Sequence, residues 1–114
     1  MPTTITTNAI ERSTYAITAA FTDETGAAVV PNSGLTWTLT DATGAVVNSR
    51  EDVAIASAAS VTVVLTNLDL AISTTYRDNR RLLTFEGTYN SSLGSNLAIR
   101  DQAEFQITDL GAVI

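Results

Sequence analysis

The sequence predicts an all-β protein, an antiparallel β-sandwich of about seven strands. Apolar and polar residues alternate with a period of two along most of the 114-residue chain, which is the pattern of half-buried strands. Turn signals recur at intervals of about ten residues, and helix formers are scarce, with Lys absent altogether. Because 45% of the residues are hydrophobic and 16% are charged, the chain can fill the core of one domain.

The two ends of the chain are expected to lie outside the sandwich, which we place at residues 13–110. Residues 1–12 begin with Met1, Pro2 and a run of Thr, so they predict an extended N-terminal arm and no secretory signal peptide. Residues 111–114 are apolar, which predicts a tail that frays or docks on a neighbouring chain. No apolar stretch approaches the roughly 20 residues that span a bilayer, so no membrane association is expected.

The strands are predicted where the alternation is strongest. Apolar side chains share one parity at residues 15–21, 35–39 and 61–65, and Thr occupies much of the other parity. Thr is β-branched and tolerates solvent, so it suits the outer face of a sheet. Residues 54–59 are the one helix-like stretch, but they are too few for a stable helix and predict a strand edge or a loop.

Two copies of one turn predict two hairpins. The segments at 22–27 and 40–45 share Thr and Asp at the start and Thr, Gly and Ala at the end, and they lie 18 positions apart. An Asp at the first corner accepts hydrogen bonds from the backbone of a type I turn. Gly26 and Gly44 follow where the backbone needs a positive φ, which Gly adopts at little cost.

The C-terminal third predicts a long hairpin centred on Leu93, in which paired residues have numbers that sum to 186. This register places Asp101 on the core face opposite Phe85, where a lone carboxylate is costly. We therefore predict a β-bulge near Arg100 and Asp101 that turns Asp101 outward, or an ion pair between Asp101 and Arg81.

Trp37 lies between Leu35 and Leu39 on one parity, so we expect it in the core and not as an exposed sugar-stacking platform. A Trp in a mid-chain strand, together with the number of strands, describes a sandwich of the immunoglobulin type. A small barrel is the competing architecture. The sandwich is preferred because the strands are short and the connection at 51–60 is long enough to cross between sheets.

The charge balance and the missing residue types restrict the function. Twelve acidic residues against six basic ones give a net charge of −6, which repels phosphate backbones, so nucleic acid is not an expected partner. The absence of His and Cys removes the commonest acid–base group, thiolate nucleophiles, disulfides and the usual zinc ligands. Asp23, Glu24 and Asp41 could suggest calcium, but turn chemistry accounts for them. We expect no cofactor, no metal and no enzymatic activity.

The candidate contact site is formed by Arg77, Arg80 and Arg81, which are three of the six basic residues. Guanidinium groups bind carboxylates and phosphates and are enriched in protein interfaces. The cluster therefore predicts an interface. The alternative is a solvated loop in which Asp78 offsets part of the charge.

Five segments carry a resemblance to a known family. They are residues 21–26, 36–46, 61–65, 68–70 and 96–105. In this order they resemble the small immunoglobulin-like proteins found among the structural genes of tailed bacteriophages and prophages, and the resemblance covers residues 14–110. No functional residue is carried over, because no motif of the family defines one.

The resemblance implies a non-enzymatic component of the virion: a head–tail connector or neck protein, a tail or baseplate protein, or a capsid decoration. Such a protein would assemble in the host cytoplasm with other virion proteins and would be a homo-oligomer in the particle. The lack of Cys suits assembly in a reducing compartment.

Two other classes of function remain open. A bacterial immunoglobulin-like or fibronectin-like binding module, such as an adhesin or a carbohydrate-binding domain, shares the same turns, and a cleft lined by an exposed Trp37 or by exposed Tyr side chains would favour it. A catalytic domain would need a deep pocket that holds two carboxylates with perturbed pKa values. A buried Trp37 and large self-complementary contacts would favour the virion subunit.

Overall fold

The computed structural model describes residues 2–4, 8–72 and 79–108. Within these ranges the chain is all-β and contains no α-helix, which confirms the predicted class. The strands are β1 Pro2–Thr4, β2 Ala9–Ile10, β3 Thr14–Ala20, β4 Thr36–Asp41, β5 Val53–Ala54, β6 Ser60–Thr66, β7 Arg80–Ser91 and β8 Gly94–Thr108. A 3₁₀ turn, Asn67–Leu70, follows β6. In this part of the chain no helix is long and apolar enough to cross a membrane.

The strands form two hydrogen-bonded sheets. The large sheet has the order β1-β8-β7-β4-β5, with β2 also paired to β8, and the small sheet contains β3 and β6. The pairs β3–β6, β4–β5, β4–β7 and β7–β8 are antiparallel, whereas β1 and β2 run parallel to β8. The large sheet is therefore mixed, and the prediction of a wholly antiparallel arrangement is wrong at this edge. Pairing the first strands with the last one joins segments that no local turn connects.

The segment predicted as an N-terminal arm lies along β8 at two places. β1 pairs with residues 102–104 and β2 with residues 107–108 of that strand. Ala9 is 1% exposed, so this part of the arm belongs to the core. The predicted C-terminal tail at 111–114 lies outside the described residues.

The core is built from the inward-facing side chains of both sheets, at alternate positions along each strand. Its members in the five longer strands are Ile17, Ala19, Trp37, Leu39, Val61, Val63, Leu65, Leu83, Phe85, Tyr89, Ile99, Phe105 and Ile107. The ring of Phe21 meets that of Phe85 edge to face, with centroids 5.6 Å apart. Burial of these apolar side chains is the main favourable contribution to folding.

Both predicted turns are present, and their hydrogen bonds are the same. The carboxylate oxygen Oδ1 of Asp23 accepts from the backbone N of Thr25 and of Ala27 at 2.9 and 3.1 Å. Asp41 accepts from the equivalent residues of its own turn at the same two distances. Gly26 and Gly44 have φ of +86° and +93°, as the turn type requires. The stretch at 54–59 forms the end of β5 and a loop, and so confirms the prediction of a strand edge or loop.

The long C-terminal hairpin has the predicted register. Every paired rung from Arg80–Gln106 to Tyr89–Leu97 joins residues whose numbers sum to 186. The register shifts beside the turn, between Tyr89 and Ser91. Local alternation and a short Gly-containing reversal were therefore enough to define this pair of strands.

The bulge predicted at Arg100 and Asp101 is absent, and that prediction is wrong. Asp101 stays paired with Phe85 in an unbroken ladder, half-buried, and its Oδ1 accepts a hydrogen bond from the backbone N of Gln102 at 2.8 Å. The alternative, an ion pair with Arg81, is also not formed between these two residues, and the Arg81 guanidinium donates to the carbonyl oxygens of Arg80 and Ala71. A groove beside β3 gives the Asp101 carboxylate access to solvent. The cost of burying the charge is therefore reduced without a bulge in β8.

Candidate functional site

The small sheet presents two strand edges that no other described strand covers, since β3 and β6 pair only with each other. One backbone hydrogen bond lies at each end of the β3–β6 ladder, and together they show which residues of the two strands bond to each other. Phe21 N donates to Ala59 O at 2.9 Å, and Asn67 N donates to Ser13 O at 3.1 Å. Backbone groups of an antiparallel strand alternate between its two edges. The odd-numbered residues of β3 and β6 therefore bond to each other, and the even-numbered residues direct their N–H and C=O groups outward.

Among residues 2–4, 8–72 and 79–108, no strand pairs with these outward backbone groups on either side of the small sheet. They belong to Ala16, Thr18 and Ala20 on β3 and to Ser60, Thr62 and Val64 on β6. None of them has a backbone hydrogen bond to another strand or loop of the described chain. At the end of β6 the N–H of Thr66 is occupied, because it donates to Oδ2 of Asp69 at 3.1 Å. An open row of this kind is a template for the addition of another strand.

The outer face of the small sheet is exposed and carries no charge. Its side chains are Thr14, Ala16, Thr18 and Ala20 on β3 and Ser60, Thr62, Val64 and Thr66 on β6. The hydroxyls of Thr18 and Thr62 are hydrogen-bonded across the ladder at 3.0 Å. Val64 is 56% exposed. In a chain of net charge −6, this face offers short, uncharged and mostly β-branched side chains.

A groove runs between the free edge of β3 and strand β8. It consists of two adjoining hollows of about 220 and 180 Å³ that share Ala20 and Asp101. The first is lined by Ile17, Thr18, Ala19, Ala20, Phe85, Asp101, Gln102 and Ala103. Among the described residues that line the groove, Asp101 supplies the one carboxylate, whereas the catalytic alternative requires two in one pocket.

An ion pair between the buried Asp69 and the partly exposed Arg50 holds the 3₁₀ turn after β6 against the loop that follows β4. The side chain of Asp69 is fully buried, and its Oδ1 accepts from Asn48 Nδ2 at 2.8 Å and from Arg50 Nε at 2.9 Å. Burial raises the pKa of Asp69, but the hydrogen bonds from Arg50, Asn48 and the Thr66 backbone outweigh it, and the net pKa lies below the ordinary value. The guanidinium carbon of Arg50 also lies 5.9 Å from the ring centre of Trp37.

Of the three arginines of the predicted interface, the structure describes Arg80 and Arg81, whose side chains lie on opposite faces of β7. Arg77 lies outside the described residues. Arg80 is exposed on the outer face of β7. Arg81 is 4% exposed on the opposite face, and its guanidinium donates to the carbonyl oxygens of Arg80 and Ala71. In this conformation Arg81 faces the chain's own backbone, so an interface at this cluster would depend on Arg77 and Arg80.

The aromatic residues considered for sugar binding do not line an open cleft in the described part of the chain. Trp37 is 7% exposed, which confirms its predicted place in the core. Tyr15 packs on Phe105 with ring centroids 5.0 Å apart. Tyr89 is 8% exposed, and its hydroxyl donates to Oε1 of Glu24 at 2.8 Å, a contact that raises the pKa of Tyr89.

The acidic turn residues have a structural role. Asp23 and Asp41 use their carboxylates to bond the backbone of their own turns. Among the described residues there is no group of three or more acidic, His or Cys side chains that could hold a metal ion.

The open edges of β3 and β6 are the feature that sequence reasoning missed. The signal available was the uncharged run at 60–66, in which Val or Leu occupies four of seven positions. Alternation predicts that such a strand is half-buried, but it does not say whether one or both of its edges are paired. Searches of protein-family models, curated proteins and solved structures found no match to this chain.

Proposed function

We propose that the chain is a non-enzymatic structural protein of a tailed-phage virion, an immunoglobulin-like β-sandwich that works through protein–protein contacts. The observation that carries the proposal is the small sheet, with two open strand edges and an uncharged outer face. Rigid units that form rings or shells need repeated contacts of this kind. The proposed location in the virion is the head–tail connector or neck, the tail, the baseplate or the capsid decoration.

The order of the strands supports the immunoglobulin-like architecture. In that fold, strands C, F and G are neighbours in one sheet, and B and E are neighbours in the other. Here β4, β7 and β8 are neighbours in the large sheet, and β3 and β6 form the small one. If β3 is taken as strand B, the chain order of these five strands is the same. Trp37 is buried on β4, the strand that takes the place of C.

The proposed partners are other virion proteins and further copies of the chain, and the proposed site of assembly is the host cytoplasm. The resemblance to phage structural proteins supports this environment, as does the absence of Cys. The buried position of Trp37 favours this function over a carbohydrate-binding module, because a sugar platform needs an exposed aromatic face.

The proposal is tested by purifying particles from a lysate of the host that carries the gene. Quantitative mass spectrometry of the gradient-purified particles should find the chain in a fixed ratio to the major capsid protein. Deleting the gene should give particles that lack a neck, a tail part or a decoration in electron micrographs. Complete, infectious particles that contain none of the chain would contradict the proposal, and binding of the purified chain to a glycan array would favour the adhesin alternative.

A further inference from the structure

We propose that two copies of this chain associate through the free edges of β6, antiparallel and across a two-fold axis, so that their small sheets join into one continuous sheet. The inference rests on the proposed function, since it names a contact through which the subunits assemble. It follows from three properties of β6: its lack of edge protection, its lack of charge and the direction of its backbone groups.

In the part of the chain that the structure describes, β6 lacks the devices that keep an exposed edge from pairing. Natural proteins protect such edges with charged side chains, Pro, bulges or very short strands. β6 has seven residues, Ser60–Thr66, none of which is charged, Gly or Pro. Its pairing with β3 is unbroken from the rung of Ala20 and Ser60 to that of Thr14 and Thr66. A regular edge with this composition pairs readily with another strand.

The charge distribution selects β6 as the edge through which a second copy can bind, and the backbone geometry of β6 suits such a self-complementary contact. Two molecules that each carry −6 repel each other, so they can approach most closely where neither presents a carboxylate. The strand β6 and the exposed face of the small sheet have no charged side chain. The edge of β3 is less suitable, because Asp101 lies in the groove beside it.

The backbone geometry allows a two-fold pairing centred on Val63. In an antiparallel pair with this centre, Thr62 of each copy lies opposite Val64 of the other. Both residues direct their N–H and C=O groups outward, so the two central rungs supply about four hydrogen bonds. On the inner face the Val63 side chains of the two copies would meet, which extends the apolar core across the junction.

The rung formed by Ala16 and Val64 provides a matched pair of variants. Both residues direct their N–H groups outward, Ala16 at the edge of β3 and Val64 at the edge of β6. Pro at either position removes an N–H that makes no hydrogen bond within the described part of the chain, and Pro is tolerated at edges of this kind. Sedimentation velocity over about 5 to 500 μM brackets the weak affinities expected for such a contact. Wild type and Ala16→Pro should convert from monomer to dimer, and Val64→Pro should dimerise at least tenfold more weakly.

Circular dichroism first establishes that each variant is folded. If Val64→Pro is not, Val64→Lys takes its place with Ala16→Lys as its control, because it keeps the backbone N–H and adds a charge at the 56% exposed position. A wild type that stays monomeric over the whole range overturns the inference, and so does a dimer lost in Ala16→Pro but kept in the Val64 variants. Particles that contain a chain with no self-association would refute this contact and leave the proposed function standing. A chain that dimerises through β6 in solution but is absent from particles would support this contact and contradict the proposed function.

Discussion

Asp69 shows how one buried charge connects segments that are distant in the sequence. Its carboxylate is inaccessible to solvent and receives hydrogen bonds from Asn48 and Arg50, in the loop after β4, and from Thr66, at the end of β6. A buried carboxylate without such donors would be costly. The contacts therefore fix the 3₁₀ turn against the loop and hold Arg50 beside Trp37.

Replacing Asp69 with Asn should destabilise the fold. The amide keeps the size of the side chain but places an N–H₂ group against donors of Arg50 and Asn48, so we expect the free energy of unfolding to fall by about 2 kcal/mol. Asp52→Asn is the control, because Asp52 is exposed and Asn tolerates its φ of +50°. Urea unfolding measures both variants. A loss for Asp69→Asn no larger than that for the control would contradict this role.

The contribution of Asp69 should also depend on pH. Because its folded pKa lies below the ordinary value, its stabilisation is present above the unfolded pKa of about 4 and is lost as the pH falls through the folded pKa. The difference in unfolding free energy between wild type and Asp69→Asn should therefore be constant from about pH 7 to pH 5 and shrink below about pH 4. Urea titrations at several pH values measure it. A difference that grows on acidification would show that the carboxylate is not held in its charged form.

The two equivalent turn residues separate the effect of burial from that of hydrogen bonding. Asp23 and Asp41 accept the same hydrogen bonds, but Asp41 is 8% exposed, and the positive charge of Arg81 is among the causes that lower its pKa, after the hydrogen bond from Thr43. We expect Asp41→Ala to lower Tm more than Asp23→Ala, because it also removes the attraction between the Asp41 carboxylate and the buried Arg81 guanidinium. Thermal unfolding compares the two. Equal shifts would mean that the turn hydrogen bonds account for the whole effect.

At the scale of elements, local signals were sufficient for the hairpins. The turns at Asp23 and Asp41 and the register of β7 with β8 follow from short-range sequence rules, and the structure confirms them. The bulge prediction failed because it assumed that the whole inner face of β8 is covered. Whether a position such as Asp101 is covered depends on how far β3 extends over it, and alternation within one strand does not carry that information.

The position of Asp101 on β8 leads to a prediction about the stability of the fold. Its carboxylate lies half-buried on the core face opposite Phe85, so Asp101→Val should raise the free energy of unfolding by roughly 1 kcal/mol. Gln102→Val on the outer face is the control and should give no gain, because it loses the hydrogen bond from Gln102 Nε2 to Thr84 Oγ1. Chemical denaturation of both variants is the measurement. A destabilised Asp101→Val would show that the carboxylate has a structural partner or role not seen in its contacts.

At the scale of the molecule, the contacts that close the fold join distant parts of the chain. Residues 2–4 and 9–10 pair in parallel with β8. No turn or residue spacing in the sequence predicts this pairing. The same is true of the candidate surface. The composition of β6 predicts a strand, but its open edge depends on which strands lie in the large sheet and which in the small one. The predicted arginine cluster also depends on the fold, because adjacent residues on a strand, such as Arg80 and Arg81, point to opposite faces of the sheet.

The open edges of the small sheet are tested most directly by amide hydrogen exchange, measured by NMR on the dilute, monomeric protein. The ladder of β3 and β6 predicts slow exchange for Ile17, Val61 and Val63, whose N–H groups point into it, and at least tenfold faster exchange for Thr62 and Val64. Uniform protection along Ser60–Thr66 under these conditions would mean that the outward edge is already bonded, and would contradict a surface available for assembly.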